Sequence, residues 1–395
     1  MPDQKTYQSS HPWIIFKLDL SNLHHKTWLL LGEAKSKCQH LAGAPLTPAT
    51  ARELHQVMLT KSIHGTASIE GNTLSEDEVR QRIDGDLELP QSREYLGTEI
   101  DNILSLCNEV MDDVIEGRDQ SLSVSRIKHF NKTILKGLPL KPEVEPGKVR
   151  THGVTVGIGH YRGAPAEDCE YLLEEMVAWL NKMRAPDENP ELIFPLAVLK
   201  SIIAHVYLAW IHPFGDGNGR TARMIEFQLM TEAGVPSTAA HLLSNHYNRT
   251  RDAYLVVLDR TSRDPSYPVE DFIQYALQGL VDELQDQIKM IRAQQYEVTW
   301  INFVHDMYKD EDTPAKRRQM HLALDMPMGV SVPRGKIREV SPRITAEYAG
   351  RESKTVSRDL NELLGRELIV QTKDGFRANR GIIEAFLPIQ KKAVE

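Results

Sequence analysis

The sequence predicts a mainly α protein, with one short β-hairpin set into a helical body and a smaller α+β unit toward the C-terminal end. Three observations carry this. From Leu192 to Ile211 the chain is apolar nearly all round, the pattern of a helix buried in a core. Apolar residues recur at helical spacing through Glu53–Ile69, Arg220–Ala233 and Val269–Gln295. Strand-like patterns between turn residues appear in two places, Gly147–Pro165 and Leu368–Ala378.

Taken in order, Glu53–Ile69 carries Leu54, Val57, Met58 and Ile63 and stops at Gly71, a residue suited to a helix C-terminus. Ser75 with Glu78 three residues later makes a capping box that starts the next helix. Val149, Val154, Val156 and Ile158 alternate with Gly153, Gly157, Gly159 and Gly163, which reads as a hairpin. Pro195, Lys200 and His205 break Leu192–Ile211 into apolar runs too short for a membrane span. Arg220–Ala233 is closed by Gly234 and Pro236. After Val269–Gln295, Asp310–Pro314 and Met326–Pro333 read as linker or loops. Ile344–Tyr348 and Ser353–Leu364 then form two helices, and Asp374-Gly375 marks a hairpin turn. The expected organisation is an N-terminal helical region (1–100), a core (101–295), a linker (296–330) and a C-terminal module (331–395).

At 395 residues the chain can bury a sizeable core in two or three domains. A formal net charge of −8 argues against a protein coated in nucleic acid. Cys38, Cys107 and Cys169 share no metal or redox spacing and read as reduced thiols of a cytoplasmic protein. The N-terminus shows no basic-then-apolar leader.

The densest chemistry lies at His212–Arg223, which reads His-Pro-Phe-Gly-Asp-Gly-Asn-Gly-Arg-Thr-Ala-Arg. It sits between two helical patterns, so it delivers Asn218 and Gly219 to a helix N-terminus, where unpaired N–H groups and the dipole favour an anion. Gly217 and Gly219 let the backbone approach a ligand closely. Arg220 and Arg223 share one face of the first turn, where a cation opposes the dipole; a polyphosphate would supply the compensating charge. Asp216 would repel phosphate unless Mg²⁺ bridged them. His212 can be neutral near pH 7 and accept a proton from an attacking hydroxyl.

With every fixed position of His-x-Phe-x-Asp/Glu-Gly-Asn-Gly-Arg-x-x-Arg present, the segment resembles the signature of the Fic family. The resemblance implies a mostly helical domain, a nucleotidyltransferase that moves AMP from ATP to a Tyr, Thr or Ser hydroxyl of a target protein. By it His212 is the general base, Phe214 a core anchor and Asp216 the Mg²⁺ ligand. Gly217, Asn218 and Gly219 form the anion hole, and Arg220 and Arg223 hold the β- and γ-phosphates. Relatives with Lys at the position of Gly219 use ATP differently, and this chain keeps Gly.

Residues 66–72 read Thr-Ala-Ser-Ile-Glu-Gly-Asn. Glu70 falls in a last helical turn, where a carboxylate opposes the dipole, so it is a candidate for a specific partner. Thr66, four residues earlier on the same face, is placed to hydrogen-bond it. Beside the loop, Thr66, Glu70 and Gly71 resemble the family's inhibitory helix, which implies that Glu70 pairs with Arg223 at the γ-phosphate position. The 147–165 hairpin would then be a flap that pairs with an extended target strand, although Gly163-Ala164-Pro165 stands where paired prolines are usual. Tyr254 matches a family helix near the adenine pocket. His205 reads as a hydrogen-bonded core histidine rather than a metal ligand.

Helix–helix–hairpin at the C-terminal end resembles a winged helix-turn-helix, with Ser353–Leu364 as recognition helix presenting Lys354, Ser357, Arg358 and Asn361. Residues 331–380 hold eleven Lys/Arg against seven Asp/Glu, so this module is expected to bind DNA or another protein. No membrane partner is expected, and a homodimer stays open. Two further readings stay open: AMP removal with Glu70 orienting water, and a DNA-binding regulator whose Fic core senses nucleotide.

Overall fold

The computed structural model describes residues 5–118, 121–156, 161–183, 189–261, 269–327 and 329–384. The chain divides into two compact units, Met1–Ile288 and Lys289–Glu395. The first contains α1 (Tyr7–Ser10), α2 (His25–Ala42), α3 (Pro48–Ile69), α4 (Glu76–Asp84), α5 (Glu94–Ile115) and α6 (Val124–Ile134). It continues with α7 (Cys169–Lys182), α8 (Ile193–Ile211), α9 (Asn218–Glu232), α10 (Ser237–Ala240), α11 (Leu242–Arg249), α12 (Arg251–Thr261) and the start of α13 (Val269–Tyr308). Strands β1 (Thr155–Val156) and β2 (Tyr161–Arg162) pair antiparallel, Thr155 opposite Arg162. This is the expected hairpin; Gly157, Ile158 and Gly159 lie outside the described residues.

Helix α8 is the centre of the unit. By length and composition Pro190–Ile211 could cross a membrane. Its residues are instead buried on nearly every side, against α9, α7 and α2, which makes it a core helix. Helix α3 begins earlier than the apolar pattern suggests, because Thr47 caps the Thr50 N–H and Pro48 occupies the first turn. It ends in a Schellman arrangement: Gly71 N–H donates to Ser68 O, Asn72 N–H to Ala67 O, and Gly71 takes φ +101°. The capping box of α4 forms in both directions between Ser75 and Glu78.

The second unit holds the end of α13, α14 (Pro314–Asp325), α15 (Pro342–Tyr348), α16 (Ser353–Gly365), and the antiparallel pair β3 (Ile369–Thr372) and β4 (Gly375–Ala378). Val332 adds one bridge to Phe376. Residues 296–330, expected as a linker, are largely helix. Trp300, Val304 and Tyr308 of α13 and Leu322 and Ala323 of α14 are buried in the same core as Ile344, Leu360 and Leu363. The breaks at Asp310–Pro314 and Met326–Pro333 are the turns that let α14 fold back onto that core. Asp359 of α16 is fully buried and accepts from Arg318 Nε at 2.7 Å, Gln319 Nε2 at 2.8 Å and Tyr348 Oη at 2.9 Å. One carboxylate thus ties α14, α15 and α16 together, with both oxygens satisfied.

Candidate active site

Helix α8 ends at His212, which adopts the left-handed conformation (φ 49°, ψ 57°) and donates its N–H to Leu208 O. A β-branched or bulky residue resists that region, so the neighbours must hold it. The loop that follows is closed by its own side chains. Asn218 Oδ1 accepts from Phe214 N at 2.9 Å and its Nδ2 donates to Phe214 O at 2.8 Å, while Phe214 is 1% exposed. From α6, buried Asn131 donates to Asp216 O at 2.9 Å. The N–H groups of Asn218, Gly219 and Arg220 at the start of α9 meet no acceptor among the described residues. Three free donors at the positive end of a helix make an anion site. Since the Asn218 amide is committed to Phe214, its contribution to that site is its main-chain N–H.

Both motif arginines are buried, and each keeps an Nε with no partner. Arg220 donates to Glu99 Oε1 at 2.6 Å and to Asp216 Oδ1 at 2.8 Å. Arg223 donates to Glu70 Oε1 at 2.6 Å and to the main-chain carbonyl of Thr66 at 2.9 Å. The expected pairing of Glu70 with Arg223 is present, whereas Thr66 acts on Arg223 through its carbonyl rather than on Glu70 through its hydroxyl. Burial pushes the Glu70 carboxyl up, but Arg223 and Arg220 outweigh it and hold it below the usual carboxylate range. The carboxylate also lies against Gly219, where a Cβ would overlap Glu70 Oε1. Glu70 therefore occupies the mouth of the anion site.

Burial and the Arg150 guanidinium lower the His212 imidazole to about 4, against weaker opposite effects of the Ala209 carbonyl, Glu70 and Asp216. At neutral pH the ring is uncharged and can accept a proton. Asp216 is half exposed. Its Oδ1 accepts from Arg220 and Gly217 N–H, and its Oδ2 has no partner among the described residues. One carboxylate oxygen beside an anion site fits the donor set of Mg²⁺, which takes one or two carboxylates and completes its shell from phosphate and water.

Three residues of this site have no local signature. Glu99 of α5, 6% exposed, receives both Arg220 and the Asn72 amide (2.8 Å), so it bridges the turn after α3 to the loop. Asn131 anchors the loop from below. Arg150, 5% exposed, donates Nε to His212 O at 2.7 Å and Nη1 to His152 O at 2.6 Å, and Nη2 reaches Ala164 O and Ile211 O. Their partners between His212 and Arg220 lie 62 to 121 residues away, beyond the reach of any spacing rule. Tyr254 is buried, with its hydroxyl on His205 Nε2 at 2.9 Å and its ring stacked on Tyr247. His205 also faces Glu226 through Nδ1 at 3.3 Å. Both belong to a packed polar core cluster.

Residues 121–230, which span α6, the hairpin, the loop and α9, match the Fic/DOC family. Over this stretch the chain is similar to that family. The protein adenylyltransferase fic-1 of Caenorhabditis briggsae is 30% identical over 177 residues, 44% of this chain and 32% of the relative. The protein adenylyltransferase Fic of Drosophila ananassae is 28% identical over 207 residues, 51% of this chain and 38% of the relative. The chain thus spans about a third of the length of the curated relatives it matches. A Fic family protein from Desulfovibrio desulfuricans G20 shares the fold, with TM-score 0.55 and 19% identity over 90% of this chain and 97% of that one. Fic-1 (residues 134–508) of Caenorhabditis elegans does so with TM-score 0.54 and 20% identity, covering 68% and 73%.

Proposed function

We propose that the protein is an adenylyltransferase that moves AMP from ATP onto a hydroxyl side chain of a target protein, and that Glu70 restrains it. One observation carries this reading. The three N–H groups at the start of α9 and the Nε atoms of Arg220 and Arg223 stay unpaired beside a Glu70 carboxylate that rests against Gly219. A polyphosphate answers the same donors with more charge. His212, neutral in its pocket, takes the proton of the incoming hydroxyl. The hydroxyl oxygen bonds to the α-phosphorus, the bond from that phosphorus to the bridging oxygen breaks, and pyrophosphate leaves toward the two arginines. Asp216 would hold Mg²⁺, which supplies charge neutralisation on the phosphates. The remaining work is positioning and electrostatics. Three buried, unpaired cysteines agree with a reducing, cytoplasmic setting.

The test is transfer of labelled AMP from ATP, to the protein itself and to a lysate. Glu70→Gly should label more than wild type, and His212→Ala in that background should lose about 10²–10⁴-fold while still binding nucleotide. Labelling by the His212→Ala variant at the parental rate would remove His212 from the mechanism. No labelling by Glu70→Gly would remove the transferase reading and leave AMP removal or nucleotide sensing.

A second reading concerns the second unit, which we take to be a winged helix that binds duplex DNA. On α16 the acidic residues are consumed internally: Asp359 in the core, Glu362 by Lys316 and Arg366. Lys354, Ser357, Arg358 and Asn361 line an open groove of about 970 Å³ beside that helix, and Lys354 and Arg358 are exposed, with no ion-pair partner among the described residues. These residue types read base edges and phosphates. Binding of the full chain to a duplex pool should weaken steeply with salt and be lost in Lys354→Ala/Arg358→Ala. Unchanged binding by that double variant, or none by wild type at low salt, would move the unit to protein recognition.

A further inference from the structure

Arg150 is a buried guanidinium whose bonds among the described residues go to main-chain carbonyls and to no carboxylate. Such a charge is costly unless its donors are used. Here they go to carbonyls from three segments that must stay in register. Ile211 O and His212 O are the last acceptors of α8, where a cation also complements the helix dipole. His152 O precedes β1 and Ala164 O follows β2, so the same side chain grips both ends of the hairpin. Its own main chain joins in, because Arg150 N–H donates to Pro213 O at 2.9 Å and Val149 forms a bridge with Phe214. Gly163 completes the contact: a Cβ there would stand 2.9 Å from both Arg150 Nη2 and His212 Cβ.

We infer that Arg150 is the positioning residue of this site, locking His212 into its left-handed backbone and fixing the hairpin against the loop so that an acceptor hydroxyl meets the imidazole. The inference rests on the adenylyltransferase reading above. Two separable effects follow. Geometry depends on the planar fork, which can serve several carbonyls at once; a lysine ammonium cannot. Charge acts on His212 itself, whose ring faces Arg150 from the hairpin side, Glu70 from α3 and Asp216 from its own loop.

The experiment uses full-length protein in the Glu70→Gly background, so that transfer by the parent first establishes the reading. Self-labelling rates are measured from pH 4 to 8 for the parent, Arg150→Lys and Arg150→Gln, with the ATP-induced shift in Tm recorded for each. Both variants should lose about 10²-fold in rate, the cost of an ångström-scale misplacement, while ATP still raises Tm, because the donors of α9 are untouched. Removing the cation raises the imidazole pKa, so the acid limb for Arg150→Gln should move to higher pH, whereas Arg150→Lys should keep the parental limb. A variant that folds, binds ATP and transfers AMP at the parental rate and pH profile would overturn the inference. So would equal rate losses that vanish once the labelling temperature is matched to each Tm, since that is the mark of a merely structural role. If the parent itself transfers nothing, the failure lies with the transferase reading.

Discussion

Two ion pairs of buried arginines, Arg223–Glu70 and Arg318–Asp359, have nearly the same N···O distance, 2.6 and 2.7 Å, and opposite wiring. Asp359 is fully buried and receives two donors from α14 and one from α15, so both oxygens are taken. Glu70 stands at a helix end, its side chain 30% exposed, with a single ion-pair partner. Arg223 keeps a free Nε. A buried pair that is complete on both sides is architecture; one that is incomplete on the cation's side can exchange its anion.

The largest effect that tests this contrast is in the second unit. Asp359→Ala should cost about 3–5 kcal/mol, because Arg318 is left buried without a counter-charge. Denaturant melts of the full chain would show the loss, and ATP should not restore it. A cost below about 1 kcal/mol would mean that water reaches Arg318 and that the pair is not closed. Next, Glu70→Gly leaves Arg223 uncompensated until an anion arrives. ATP affinity should rise about 5–150-fold, a coupling of about 1–3 kcal/mol, and ATP should raise Tm further in the variant than in wild type. Equal ATP responses would show that Glu70 does not compete for the site. The smallest effect is that of pH. The Glu70 carboxyl titrates below its ordinary value of 4.5, so its contact is complete above that pH and is lost as pH falls through the lower, folded value. Over that fall the ATP affinities of wild type and Glu70→Gly should converge in calorimetric titrations. A gap that stays constant down to pH 3 would mean that the carboxylate charge is not what holds the contact.

What could be read from the sequence follows the range of each signal. The loop from His212 to Arg223, the C-terminal end of α3 and the capping box at Ser75 are local patterns, and the structure has them where the residues indicated. Glu70 was legible because a carboxylate in a last turn is disfavoured locally. The pair it makes with Arg223 spans 153 residues and was reached only through resemblance. Arg150 and Glu99 carry no local anomaly: one lies in a loop, the other in an amphipathic helix, and their meaning appears only with the partners that folding brings. Asp359 was unreadable for the same reason, since two of its three donors come from α14, inside the stretch 296–330 expected as a linker.

The overlap of Glu70 with the space above Gly219 has one more consequence. Because the carboxylate stands over the Gly219 α-carbon, at the entrance to the N–H groups that would take a phosphate, the two would compete for the same space. On the reading proposed above, Glu70 would act as a tethered competitor, at an effective concentration on the order of millimolar for a short link. Restraint of this kind is graded rather than all-or-none: occupancy follows the ratio of free nucleotide to that local concentration. Its set point lies in the length and stiffness of the last turn of α3, where Asn72 fastens the chain to Glu99. A side chain placed at 219 would evict both contenders at once, so the two sides of the competition can be tuned only from outside the socket they share.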